Sequence, residues 1–192
     1  DTKEEIVALD WSRNGSLIVG ARANGTIGLF DNNSNLREYP SVPTAFTNRI
    51  TQVKFSPDNQ KIAVTAVDSP MIQIFNIGGT SSIIEAVKIT MNNSFIQYLE
   101  WSSSSDYLAC ACDNFELKYF SLMHNTKPVA FSEVKDKTWL NWSLPIGPMA
   151  YGIDINDQVL RNTSICRSWR MKEGSKDYNS NLKAVVGDQN GN

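Results

Sequence analysis

An aromatic residue followed by serine recurs at Trp11-Ser12, Phe55-Ser56 and Trp101-Ser102, 44 and 46 residues apart, and each pair closes one short apolar run and precedes two more. In the middle copy, Ile50 to Ile77, the runs are Ile50–Phe55, Lys61–Val67 and Met71–Ile77, separated by Ser-Pro-Asp-Asn and Asp-Ser-Pro. Such strings form turns. The runs are rich in Ile, Val, Thr and Phe and too short for helices, so they read as antiparallel strands of one small sheet. Val53 and Phe55 would lie on one side of the first strand and Ile50 on the other. A sheet wet on one face does not need apolar residues on both. It is therefore expected to be sandwiched between two sheets like itself.

The copies supply those neighbours. Upstream, Ile6 to Asp31 repeats the pattern; downstream, Ile96 to Leu122 does so again; a stretched fourth copy runs through Ser164–Trp169 and Leu182–Val186 to the turn Asp188-Gln189-Asn190-Gly191. A spacing of roughly 40–45 residues is that of a four-stranded propeller blade. The expected fold class is all-β, a WD40-type β-propeller of about four blades at residues 1–35, 36–79, 83–124 and 128–192. In this phasing Leu36–Val42, Ile83–Thr90 and Pro128–Val134 are inner strands. The second strands lie near Ile6–Trp11, Ile50–Phe55, Ile96–Trp101 and Thr163–Arg167, and the third near Leu17–Ala21, Lys61–Val67, Tyr107–Ala111 and Leu182–Val186. That makes 14 strands, in two whole blades and two cut ones. A propeller buries its faces by closing a ring, so the chain reads as an open arc of a larger propeller, the remaining blades missing from it.

Net charge is −2 over 192 residues. A broad electrostatic grip on nucleic acid or anionic lipid is not expected. No run approaches the roughly 18 apolar residues of a membrane helix, and Asp-Thr-Lys-Glu-Glu does not open a signal peptide, so a soluble, cytoplasmic protein is expected. Of the three cysteines, Cys110 and Cys112 stand two apart on one strand, poorly placed to bridge each other. They are expected, like Cys166, to be small buried hydrophobes. The single histidine, His124, falls on a connector, so neither a zinc set nor a catalytic imidazole is in evidence. Nucleophile elbows and phosphate loops are absent too. The reading is of no enzyme, no catalytic residue, no metal and no cofactor. Asp68, Asp113 and Asp188 recur at equivalent turns, where aspartate bonds local backbone.

The last copy departs from the others. Some 28 residues, Lys135 to Asn162, intervene before the second strand of its blade, and they contain Asp136-Lys137-Thr138-Trp139-Leu140-Asn141-Trp142 and Asp154-Ile155-Asn156; Cys166-Arg167-Ser168 and Gly187-Asp188-Gln189-Asn190-Gly191 follow. In this order these strings resemble the last propeller of the echinoderm microtubule-associated protein-like family, and the earlier blades agree in register. The likeness covers essentially the whole chain. It departs at Ala150–Asn156, in a polar insertion from Lys172 to Asn181, and at the blade ends. No Trp-Asp dipeptide stands there, the corresponding pairs being Leu29-Phe30, Phe75-Asn76 and Phe120-Ser121.

The resemblance implies a non-catalytic interaction module that binds tubulin or microtubules within a tandem-propeller protein of the cytoskeleton. A WD40 scaffold subunit of another intracellular complex is the alternative. Two features could meet a protein partner. Trp139 and Trp142 could anchor one if exposed, although such a pair more often packs beneath its own loop. Arg170, Lys172 and Lys176 form a modestly basic stretch that could meet acidic tails, or could simply be solvated.

Overall fold

The structure, a computed structural model, describes residues 4–79, 82–91, 94–114, 116–123, 126–140 and 144, and the backbone of Thr163–Arg170 and Leu182–Asp188. The first sheet contains β1 (Ile6–Trp11), β2 (Leu17–Arg22) and β3 (Thr26–Asp31) in that order, followed by β4 (Arg37–Glu38) and β5 (Val42–Pro43), both paired with β3. The second is β6 (Ile50–Phe55), β7 (Lys61–Ala66), β8 (Met71–Ile77) and β9 (Ile83–Thr90). The third is β10 (Ile96–Trp101), β11 (Tyr107–Cys112), β12 (Leu117–Ser121) and β13 (Lys127–Val129). A short helix, α1 (Phe131–Val134), follows. The last sheet pairs β14 (Thr163–Arg170) with β15 (Leu182–Asp188). Every one of these pairings is antiparallel.

The aromatic-serine pairs mark a turn that the serine itself builds. The hydroxyls of Ser12, Ser56 and Ser102 accept the backbone amides of Leu17, Lys61 and Tyr107 at 2.8, 2.8 and 2.9 Å. Each serine carbonyl takes the amide three residues on, from Gly15, Asn59 and Ser105. Those three residues have φ of 72°, 61° and 66°, a left-handed conformation that glycine and asparagine adopt most readily. Recurrence extends to irregularities. The opening strand of every sheet slips register after its first residue, at Ile6/Ala8, Ile50/Gln52, Ile96/Tyr98 and Thr163/Ile165. That bulge puts Ile6, Ile50, Ile96 and Thr163 at equivalent places.

Strand positions agree with the sequence pattern, but the phasing of the blades does not. Ile50–Phe55 is the first strand of its sheet rather than the second. Residues 36–43 supply the outer strand of the first sheet, broken at Pro40, where β3 meets β4 and then β5. Ile83–Thr90 pairs along all of β8 and finishes the second sheet, and Lys127–Val129 finishes the third while Phe131–Val134 turns helical. The described residues therefore hold three complete blades, at 6–43, 50–90 and 96–129, and a strand pair of a fourth. A repeat fixes the period, whereas its starting point can be set at any connection. By register the first blade's terminal pair is Phe30-Asp31, opposite Ile18 and Leu17, in the place of Phe75-Asn76 and Phe120-Ser121.

Adjacent blades stack through apolar faces and are tied at their opening strands. Val19, Ala21, Ile27 and Leu29 of the first sheet pack on Val53, Phe55, Ile62 and Val64 of the second. On its other face the second sheet offers Ala63, Ile72, Ile74 and Ile89 to Leu99, Trp101, Leu108 and Cys110 of the third. Phe55 and Trp101 are buried as expected. Polar links cross both seams. Asp10 accepts the Phe55 amide at 2.7 Å, and Gln52 accepts the Leu99 amide at 3.1 Å. The Trp101 indole donates to the Lys54 carbonyl at 3.2 Å. At the turns, Asn59 accepts the Arg13 amide and Ser105 accepts the Asp58 amide.

Candidate interaction surface

The two ends of the stack are finished differently. At the far side of the third sheet, Tyr107, Ala109, Ala111 and Tyr119 are covered by Val134, Trp139 and Leu144. The covering segment is tied down by backbone bonds. Ser103 donates to the Thr138 carbonyl at 2.8 Å, Leu140 donates to the Trp101 carbonyl at 3.0 Å, and Ser102 and Trp139 form an antiparallel bridge. Trp139 is buried, with its ring 5.8 Å from that of Tyr119 and tilted by 46°. The Tyr107 hydroxyl reaches Glu133 at 3.4 Å, and Lys137 lies over its ring at 5.5 Å. Burial, reinforced by the Glu133 carboxylate, pushes the Tyr107 phenol up. Burial pushes Tyr119 up to about 12.

This geometry corrects one of the sequence candidates. Trp139 is core of the segment that closes the third sheet and offers no surface to a partner. Arg170 ends β14 opposite Leu182. Trp142, Lys172 and Lys176, and likewise the connector residue His124, lie outside the described residues. The cysteine expectation holds for Cys110 and Cys112, which are free thiols in the core. Of the three turn aspartates, Asp113 accepts the Phe95 amide at 2.9 Å, Asp68 takes a left-handed φ of 49°, and Asp188 closes β15.

At the near end the first sheet's outer face is bare. Ile6, Leu9 and Trp11 are 47%, 60% and 51% exposed, whereas the residues at equivalent register in the second sheet, Ile50, Val53 and Phe55, are 1%, 2% and 3% exposed. The third sheet's equivalents, Ile96, Leu99 and Trp101, are covered to the same degree. In both cases the cover is the preceding blade. Arg22, on this same open face, pairs with Glu38, lies 3.9 Å from Glu4 and sits 5.8 Å from the Phe30 ring centroid. The repeat alignment contained the signal for this face, since Leu9 and Trp11 stand where Val53 and Phe55 are enclosed.

Among the described residues no group of three or more His, Cys, Asp or Glu is placed to hold a metal ion, and no helix is long and apolar enough to cross a membrane. The arrangement is one of stacked sheets with side-chain ties.

No family model matches the chain. It is similar to echinoderm microtubule-associated protein-like 3 of Mus musculus, 26% identical over 172 residues, which is 88% of this chain and 19% of that protein. Echinoderm microtubule-associated protein-like 1 of Rattus norvegicus is 22% identical over 72% of this chain and 17% of its own length. The like-4 protein of Xenopus laevis is 24% identical over 61% of this chain and 13% of its own. The chain thus spans less than a fifth of the length of these curated relatives. Among solved structures, the Cps50 (Swd1) β-propeller domain of Myceliophteria thermophila superimposes with a TM-score of 0.58 at 18% identity, over 67% of this chain and 43% of that one. The WD40 repeats of RRP9 give 0.57 at 15% identity, over 68% and 39%. The fold is an open arc of a WD40-type β-propeller, and the relatives are those that the sequence strings pointed to.

Proposed function

We propose that the chain is a non-catalytic WD-repeat interaction module of a microtubule-associated protein, residues 1–192 contributing blades to a larger propeller whose protein partner is tubulin. The observation that carries this reading is the similarity, along 88% of the chain, to proteins named as microtubule-associated, in a chain whose described residues form propeller blades. The bare face of Ile6, Leu9 and Trp11 supports the larger propeller, because an equivalent face on each of the next two sheets is filled by a neighbouring blade. Arg170, Lys172 and Lys176 are the proposed contact with acidic tails, and the cytoskeleton is the proposed location.

Co-sedimentation of the chain with polymerised tubulin across a salt series tests the reading. Weak, saturable binding that falls as salt rises is expected, because screening weakens contacts between exposed charges. Sedimentation no greater than that of an unrelated propeller would remove tubulin as the partner and leave the interaction module without it.

A further inference from the structure

Three sulfur atoms meet where the chain crosses from the second sheet to the third. Met91, one residue past β9, holds its thioether 3.8 Å from Cys110 Sγ and 3.6 Å from Cys112 Sγ. Cys110 and Cys112 alternate on β11 and so share one face of it, the face turned toward the second sheet. All three side chains are buried, with Met91 and Cys112 each 5% exposed at the margin of the core. Beside them the Ser94 hydroxyl is 3% exposed and faces the Cys112 thiol. We propose that Met91, Cys110 and Cys112 form a binding site for a soft monovalent cation of the copper(I) class, with Ser94 at its edge.

Ligand chemistry selects the ion. Thiolate and thioether sulfur favour copper(I), whereas zinc in a protein site takes four ligands drawn from Cys, His and carboxylate. Three sulfurs bound to one ion at the roughly 2.3 Å of a metal–thiolate bond would stand about 4 Å apart. The two sulfur separations given above are already close to that. Buried sulfurs commonly pack as single hydrophobes, whereas here three converge on one point at the margin of the core. Because the third ligand is a methionine, the set falls outside any count of His, Cys, Asp and Glu.

On binding, each thiol releases its proton to solvent, so two thiolates and one monovalent cation leave a single negative charge. Lys118, paired with Glu116 at 3.1 Å, stands opposite Cys110 on the neighbouring strand β12. The ion enters and leaves as copper(I), and no redox step is involved.

The test is anaerobic titration of the 192-residue chain with copper(I) supplied as its bicinchoninate complex, the withdrawal of copper being read from the loss of the complex's absorbance. Cys166→Ser serves as the background, so that the pair on β11 provides the remaining thiols. One equivalent should be withdrawn per chain. Met91→Leu conserves volume and should keep the fold. It should weaken binding at least as much as the roughly 10–100-fold typical of losing an outer-shell partner. Cys112→Ser should abolish stoichiometric uptake, with circular dichroism confirming an unchanged sheet content. Failure to withdraw copper, undiminished affinity in Met91→Leu, or full uptake by a Cys110→Ala/Cys112→Ala chain would each overturn the site.

Discussion

The carboxylate of Asp10 accepts the backbone amide of Phe55 at 2.7 Å, joining the opening strands of the first two sheets across 45 residues of chain. Phe55 also pairs with Ile62 within its own sheet, so the bond secures an amide at the seam while the ring packs into the shared core. Removal of the acceptor by Asp10→Ala should cost about 1–3 kcal/mol, the usual penalty for leaving a buried donor unpaired. Asp10→Asn, which retains a carbonyl oxygen, should cost less. Urea denaturation of the three chains checks the order. Equal midpoints for Asp10→Ala and the parent would mean that water replaces the carboxylate freely.

Equivalent positions in three blades provide an internal control for burial. Phe55→Ala and Trp101→Ala should each cost about 3–5 kcal/mol, as truncation of large core side chains does. Trp101 forfeits in addition its indole bond to the Lys54 carbonyl. Trp11 is half exposed, so Trp11→Ala should cost far less, nearer the roughly 0.5 kcal/mol of surface changes. A loss at Trp11 as large as that at Trp101 would show that the first sheet's outer face is covered in solution, by a second copy if the loss depends on protein concentration.

The strands were legible because period-two alternation and turn strings such as Ser-Pro-Asp-Asn are local properties of the chain. Blade phasing depends on which neighbour a strand pairs with, and spacing alone does not carry that. A clue was nevertheless present in Ile83–Thr90, where Glu85 and Lys88 punctuate the apolar residues. Charges of this kind suit an outer edge, while the opening strands are hemmed in by their neighbours. The closing segment was half legible. Trp139 and Trp142 were recognisable as a distinctive pair, yet the burial of Trp139 rests on Tyr107 and Tyr119 from strands some 20–30 residues earlier. The sulfur cluster was read only as two cysteines, because Met91 joins it through the fold rather than through sequence spacing.

Asp31 gives the chain an acid-sensitive turn. Its carboxyl is held below the usual range by hydrogen bonds, first from the Ser34 hydroxyl and then from the Asn33 amide, with Tyr39 adding a third. A group whose folded pKa is depressed stabilises the fold above its unfolded pKa and loses that contribution as pH falls through the folded value. The Asp31 contribution should therefore be complete at neutral pH, begin to fade near the ordinary 3.8 and vanish below the lowered value. The urea midpoints of the parent and Asp31→Ala should be separated at pH 7 and converge toward pH 3. A separation that stays constant with pH would assign the loss to turn geometry rather than to charge.

The basic stretch near the end of the chain is the most direct way to test the proposed partner. Arg170 ends β14, at the edge of the strand pair with Leu182, and Lys172 and Lys176 follow it in sequence, with Glu173 and Asp177 between and beyond them. Exposed charges act on an acidic partner mainly through attraction that salt screens over roughly 8–10 Å. Replacing all three by glutamine should weaken co-sedimentation with polymerised tubulin and flatten its dependence on salt, while the urea midpoint stays within the spread of surface changes. Charge reversal to glutamate should weaken it further, since like charges then face the tails. If binding and its salt slope survive both sets of substitutions, this stretch is not the contact. Attention would then pass to Ile6, Leu9 and Trp11, whose apolar contact would show little salt dependence.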